Sequence, residues 1–98
     1  MVRMMMRITI PVEAGNKAVK DGSLPKALQL MMGELKPEAA YFTPIDGVRT
    51  ALIFFDMKDV SDIPRMVEPL FQGFNAAVEF SPAMNADDLK AGLEKVKP

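Results

Sequence analysis

Large apolar residues alternate along Arg49–Met57 (RTALIFFDM), and they do so on both sides of an extended chain. Ala51, Ile53, Phe55 and Met57 share one face; Thr50, Leu52, Phe54 and Asp56 share the other. A strand with bulky apolar groups on both faces is expected to be covered twice. Helices of the same small chain can cover one side, and a second subunit is the simplest cover for the other.

The remaining pattern supplies the partners of this strand. Met4 to Val12 alternates as a first strand, with Met4, Met6, Ile8 and Ile10 opposite Met5, Arg7 and Thr9. Glu13–Lys20 reads as a short helical turn before Asp21-Gly22. Ser23 has N-cap chemistry, Pro25 suits a first turn, and Leu24, Leu28, Met31, Met32 and Leu35 form a helical stripe that Pro37 ends. Ala39–Thr43 is a second strand. Asp46-Gly47 predicts a two-residue hairpin turn pairing Ile45 with Val48, Thr43 with Thr50 and Tyr41 with Leu52. A second helix follows, with its cap supplied from Asp59–Asp62, Ser61 first among them, and Ile63, Met66, Val67, Leu70, Phe71 and Phe74 on its apolar face. Pro69 should bend it, and Gly73 suits its C-terminal end. Ala76–Ser81 is a fourth strand. Asn85 and Asp88 are spaced as a capping box for a terminal helix carrying Leu89, Leu93 and Val96, with Lys95 and Lys97 favouring its C-terminal dipole.

This order, β-α-β-β-α-β with a terminal helix, is the split-βαβ or ferredoxin-like arrangement of the α+β class. Right-handed crossovers put two helices on one face of an antiparallel sheet ordered 4-1-3-2, within a single domain over residues 1–98. The helix-facing set is Met6, Ile8, Ile10, Phe42, Ala51, Ile53, Phe55, Val78 and Phe80. The opposite face carries Arg7, Thr9, Tyr41, Thr43, Leu52, Phe54, Glu79 and Ser81. A monomer seldom leaves so much apolar surface in water, so sheet-to-sheet pairing of two copies is expected.

Composition narrows the chemistry. Lys and Arg number 12 against 13 for Asp and Glu, giving a net charge of −1 with no basic field for nucleic acid or anionic lipid. Cysteine and histidine are both absent, so disulfides, thiolate nucleophiles, zinc sites and His-based catalysis are not expected, and no cofactor is implied. The acidic cluster Asp56, Asp59 and Asp62 reads as capping and solvation rather than a metal site. There is no secretory signal pattern and no apolar stretch of membrane-spanning length, so a cytoplasmic protein with no membrane partner is expected.

RITIPV, AAYFT, RTALIFFDMKD and AAVEFSPAMN, spread over residues 4 to about 84, make the chain resemble the dimeric α/β-barrel superfamily, and most of all its small bacterial members of no assigned activity. The resemblance implies face-to-face sheet pairing in a homodimer. The group includes cofactor-free monooxygenases, lactone isomerases and haem-binding degraders; this chain lacks the His a haem ligand requires and the His or Trp of many oxygenase pockets.

Five residues are the candidate ligand-binding set: Arg7, Tyr41, Glu79, Leu52 and Phe54. Arg7 could clamp a carboxylate with Glu79 orienting it, although the plainer reading is a cross-strand ion pair. Tyr41 could donate to a substrate oxygen, or simply pack as an amphipathic strand residue. The expected function is a homodimer holding a small apolar or carboxylate-bearing molecule in a cavity by the sheet. Two alternatives stand beside it. One is a cofactor-independent monooxygenase or isomerase acting on a small aromatic or lactone-like substrate, with Tyr41 and Arg7 polarising an oxygen. The other is a structural or protein-interaction module using an edge strand or the terminal helix.

Overall fold

The computed structural model describes residues 1–96. Its elements are β1 (Val2–Ile10), α1 (Val12–Lys20), α2 (Ser23–Leu35), β2 (Ala39–Ile45), β3 (Val48–Met57), a 3-10 turn (Val60–Asp62), α3 (Ile63–Phe74), β4 (Ala77–Pro82) and α4 (Ala86–Glu94). The strands form one antiparallel sheet of order β2-β3-β1-β4, as the topology argument requires. The doubly apolar strand β3 is interior, paired with β1 on one side and β2 on the other.

The hairpin closes as expected. Asp46 (φ 54°) and Gly47 (φ 79°) both take positive φ, and Ile45, Thr43 and Tyr41 pair with Val48, Thr50 and Leu52. Met6, Ile8, Ile53 and Phe55 are essentially sealed at the centre of the core, packed under residues of α1, α2 and α3.

Several local expectations need correction. β1 runs from Val2 to Ile10 rather than Met4 to Val12, because Pro11 already leads into α1. That segment is a nine-residue helix beginning at Val12, and it buries Gly15 and Ala18. Ser23 is not the cap of α2. Gly22 takes a left-handed conformation (φ 80°), and Asp21 accepts the Ser23 N–H at 2.8 Å. Asp59, not Ser61, caps the 3-10 turn by accepting the Ser61 N–H at 2.8 Å. Asn75 (φ 51°), not Gly73, ends α3, with the Asn75 N–H on Phe71 O and the Ala76 N–H on Leu70 O. The helix runs unbroken through Pro69, which lies on its exposed side.

Phe42 departs most from expectation. Its register places it on the helix-facing side opposite Ala51, yet it is 56% exposed. The helix layer covers β1, β3 and β4 and stops short of edge strand β2. Alternation assigns a face; it does not say how far the cover reaches.

At the other end of the chain, α4 opens with the expected reciprocal capping box. Asn85 Oδ1 accepts the Asp88 N–H at 2.8 Å, and Asp88 Oδ2 accepts the Asn85 N–H at 3.0 Å. The helix buries none of its residues, and Leu89, Leu93 and the following Val96 are exposed. Lys97 lies outside the described residues. The molecule is elongated, 55 × 28 × 18 Å, with a radius of gyration of 15.5 Å where a compact chain of this length would have about 12.6 Å.

Candidate functional site

On the side of the sheet away from α1, α2 and α3, strand pairing sets side chains out in rows. Tyr41, Leu52, Arg7 and Glu79 lie in one row across all strands; Ala39, Phe54, Met5 and Ser81 lie in the next; Thr43, Thr50, Thr9 and Ala77 in a third. The five residues singled out in the sequence therefore share one surface, with Phe54 one row from the other four.

Their environments differ. Arg7 is half-buried, and its Nε is shut off from solvent with no hydrogen-bond acceptor. Glu79 is opposite Arg7 in the strand register, yet no ion pair joins them among the described residues, and Glu79 is exposed. Leu52 and Phe54 are half-buried, while Tyr41 on edge strand β2 is 63% exposed. Thr50, between Thr43 and Thr9, is 4% exposed and satisfies its hydroxyl by donating to Val48 O at 3.1 Å. A buried donor without an acceptor costs about 1–3 kcal/mol. Arg7 thus has one buried donor, its Nε, without an acceptor, although Glu79 stands opposite it in the strand register.

A different arginine does the tying together. Arg3 donates from Nε to Glu38 Oε1 and from Nη1 to Asp88 Oδ2, each at 2.5 Å, joining β1 to the segment before β2 and to α4. The Asn85 N–H, followed by Arg3, holds the Asp88 carboxyl below the usual carboxylate range. Asp59 is lowered in the same sense by its bonds from Ser61. Asp62 pairs with Arg65 at 3.7 Å, and Arg65 also pairs with Glu34. The acidic residues near the 3-10 turn are thereby engaged as caps and ion-pair partners, and no group of three or more metal-ligating side chains gathers among the described residues.

The helix side has a concavity of its own, about 330 Å³, between α2 and the uncovered edge of the sheet. Ile8, Ile10, Leu24, Leu28, Phe42 and Ala51 are among the residues that line it, as is Arg49. The sequence reading passed over Arg49. The available signal was its position in the alternation, a charge on the face of β3 that carries Ala51, Ile53 and Phe55.

Among solved structures, an ACT domain protein from Streptococcus pneumoniae superimposes with a TM-score of 0.52 at 15% identity, over 86% of this chain and 98% of that one. The fold is ferredoxin-like. At this identity the likeness speaks for the fold alone, and it agrees with the strand order and helix placement of the ferredoxin-like chain described above. No family model matches the sequence. No curated protein matches it either. No helix among the described residues is long and apolar enough to cross a membrane.

Proposed function

We propose that the chain works as a homodimer that pairs its helix-free sheet faces and holds a small carboxylate-bearing molecule against Arg7. The observation that carries this reading is the Arg7 Nε, enclosed but without an acceptor, beside Leu52 on the face of the sheet away from α1, α2 and α3. A ligand carboxylate would complete its hydrogen bonding. Leu52 and Phe54 would supply apolar walls, and Tyr41 would stand at the margin with its hydroxyl available to a polar substituent.

Surface area supports the dimer. The chain exposes 6836 Å², whereas a compact monomer of 10.8 kDa would expose about 5,500 Å². The excess, roughly 1,300 Å², exceeds the about 800 Å² per partner that a standard interface buries. Part of it belongs to α4, whose stripe of Leu89, Leu93 and Val96 is available to the same assembly.

Sedimentation combined with amide chemical-shift mapping tests the reading, with benzoate as the probe. The expected result is a dimer at micromolar concentration, with benzoate moving the amides of Arg7, Leu52 and Glu79, and an Arg7→Gln variant that stays dimeric but loses the response. A stable monomer would remove the dimer from the proposal. A dimer indifferent to benzoate, with or without the Arg7 side chain, would remove the ligand and leave Arg7 to be paired by the partner's own groups.

A further inference from the structure

We infer that α4 is an exchanged arm. Within the dimer proposed above, on which this inference rests, each copy lays the Leu89, Leu93 and Val96 stripe of its α4 on the helix-free face of the other copy, beside Met5 and Phe54. Lys90 then meets the partner's Glu79, and Arg7 is left to the ligand.

The helix itself calls for a cover. α4 is nine residues long, has Gly92 within it and buries none of its residues. Helices shorter than about 12–15 residues are marginal in water on their own, and in proteins they are held chiefly by packing an apolar face. The capping box secures the first turn only. Beyond it, Leu89, Leu93 and Val96 follow one another at helical spacing and stand exposed.

Three observations name a second copy as that cover. The first is the side on which the arm is anchored. Alternation puts Arg3 on the face of β1 that carries Met5 and Arg7, and Arg3 holds Asp88 in the first turn of α4 at 2.5 Å. The Ala83 N–H, on the approach to α4, bonds to Arg3 O at 3.0 Å. The arm therefore starts on the helix-free side, and its stripe continues the interface proposed for that face. The second is charge. Glu79 is exposed on this face and joins no ion pair among the described residues; Lys90 joins none either. Lys90 lies between Leu89 and Leu93 along α4, with Glu94 at the far end of the same surface. A cation set within the apolar stripe complements an anion set beside the apolar residues of the sheet. The third is area. The excess of exposed surface over a compact chain, roughly 1,300 Å², is larger than the about 800 Å² of a standard partner surface, so the sheet face and the arm can both enter one assembly.

Sedimentation of the full chain and its variants tests the exchange. Leu89→Ser combined with Leu93→Ser should weaken the dimer at least about hundredfold and leave the fold intact, since α4 buries none of its residues. Lys90→Glu and Glu79→Lys should each weaken it about tenfold, because either homodimer then makes two like-charge contacts. An equimolar mixture of those two variants should regain the parent's dimer strength, because in the mixed dimer both contacts join opposite charges. A contact made within one chain cannot be rescued by mixing. If the parent is a dimer and the double serine variant dimerises as tightly, the exchange is overturned while sheet pairing stands. A stable parent monomer removes both. If the serine variant is weakened but the mixture is no tighter than its two components, the exchange is overturned as well, and the stripe belongs against the partner's own α4.

Discussion

Phe54 and Phe55 are neighbours on β3 with opposite surroundings. Phe55 is 2% exposed, enclosed with Met6 and Ile53 beneath the helices. Phe54, one residue earlier, points to the side away from α1, α2 and α3, and shares its row with Ala39, Met5 and Ser81. The two faces of β3 resemble each other in hydrophobicity; what separates them is supply, because α1, α2 and α3 are spent on one side only. Apolar surface on the covered face has delivered its stabilisation to the fold. On the open face that stabilisation is still to be realised, and a second subunit or a ligand is what can realise it.

The largest expected effect sets these two rings directly against each other. Phe55→Ala should cost about 3–5 kcal/mol, transfer free energy plus the cavity left behind, which is a large share of the roughly 5–15 kcal/mol typical of a whole domain. Phe54→Ala should cost much less at high dilution and progressively more as protein concentration rises, since its packing belongs to the proposed dimer. Urea midpoints measured for both variants at widely separated protein concentrations check this. Equal losses, independent of concentration, would mean that the two faces are not different in kind.

The same contrast marks what could be read from the sequence. The pairing of β1, β3 and β2 was legible because alternation and an Asp-Gly turn leave one self-consistent register, and Arg7, Tyr41, Leu52 and Glu79 fell into one row as a consequence. α1 was legible only as a short helical turn over Glu13–Lys20, where the helix spans Val12–Lys20. Caps slipped by one or two residues, from Ser23 to Gly22 and from Gly73 to Asn75, because backbone φ decides among neighbouring positions. Register brings Arg7 opposite Glu79, yet no ion pair joins them among the described residues. The groove that Phe42 and Arg49 help to line went unnoticed because it depends on where α2 stops covering the sheet, a tertiary fact.

A smaller effect separates the body from its terminal arm. Asn85→Ala removes one half of the capping box and should destabilise α4 by about 1 kcal/mol. Since α4 buries none of its residues, the loss should remain local: circular dichroism at 222 nm should fall modestly while the urea midpoint of dilute protein stays in place. A midpoint shift as large as that of a core truncation would show that the arm supports the body, and the division between them would fail.

The smallest effect is electrostatic and sharpens the same division. Asp88 is held below the ordinary carboxylate range by the Asn85 N–H first and by Arg3 second. A depressed folded-state value means that the unfolded arm binds its proton at a higher pH than the folded one does. Stability therefore rises with pH through that window; it is fully present above the ordinary carboxylate range and is lost as pH falls through the folded value. The helical signal of α4 should accordingly decline below about pH 4, and Asp88→Asn should flatten that decline. Asp59 titrates in the same sense at the approach to α3, so the readout must be specific to the arm; the amides of Leu89 and Leu93 provide it. If those amides keep their helical shifts down to acid unfolding of the sheet, Arg3 and Asp88 are not what holds the arm to β1. The exposed stripe of α4 would then be fixed by contacts made elsewhere.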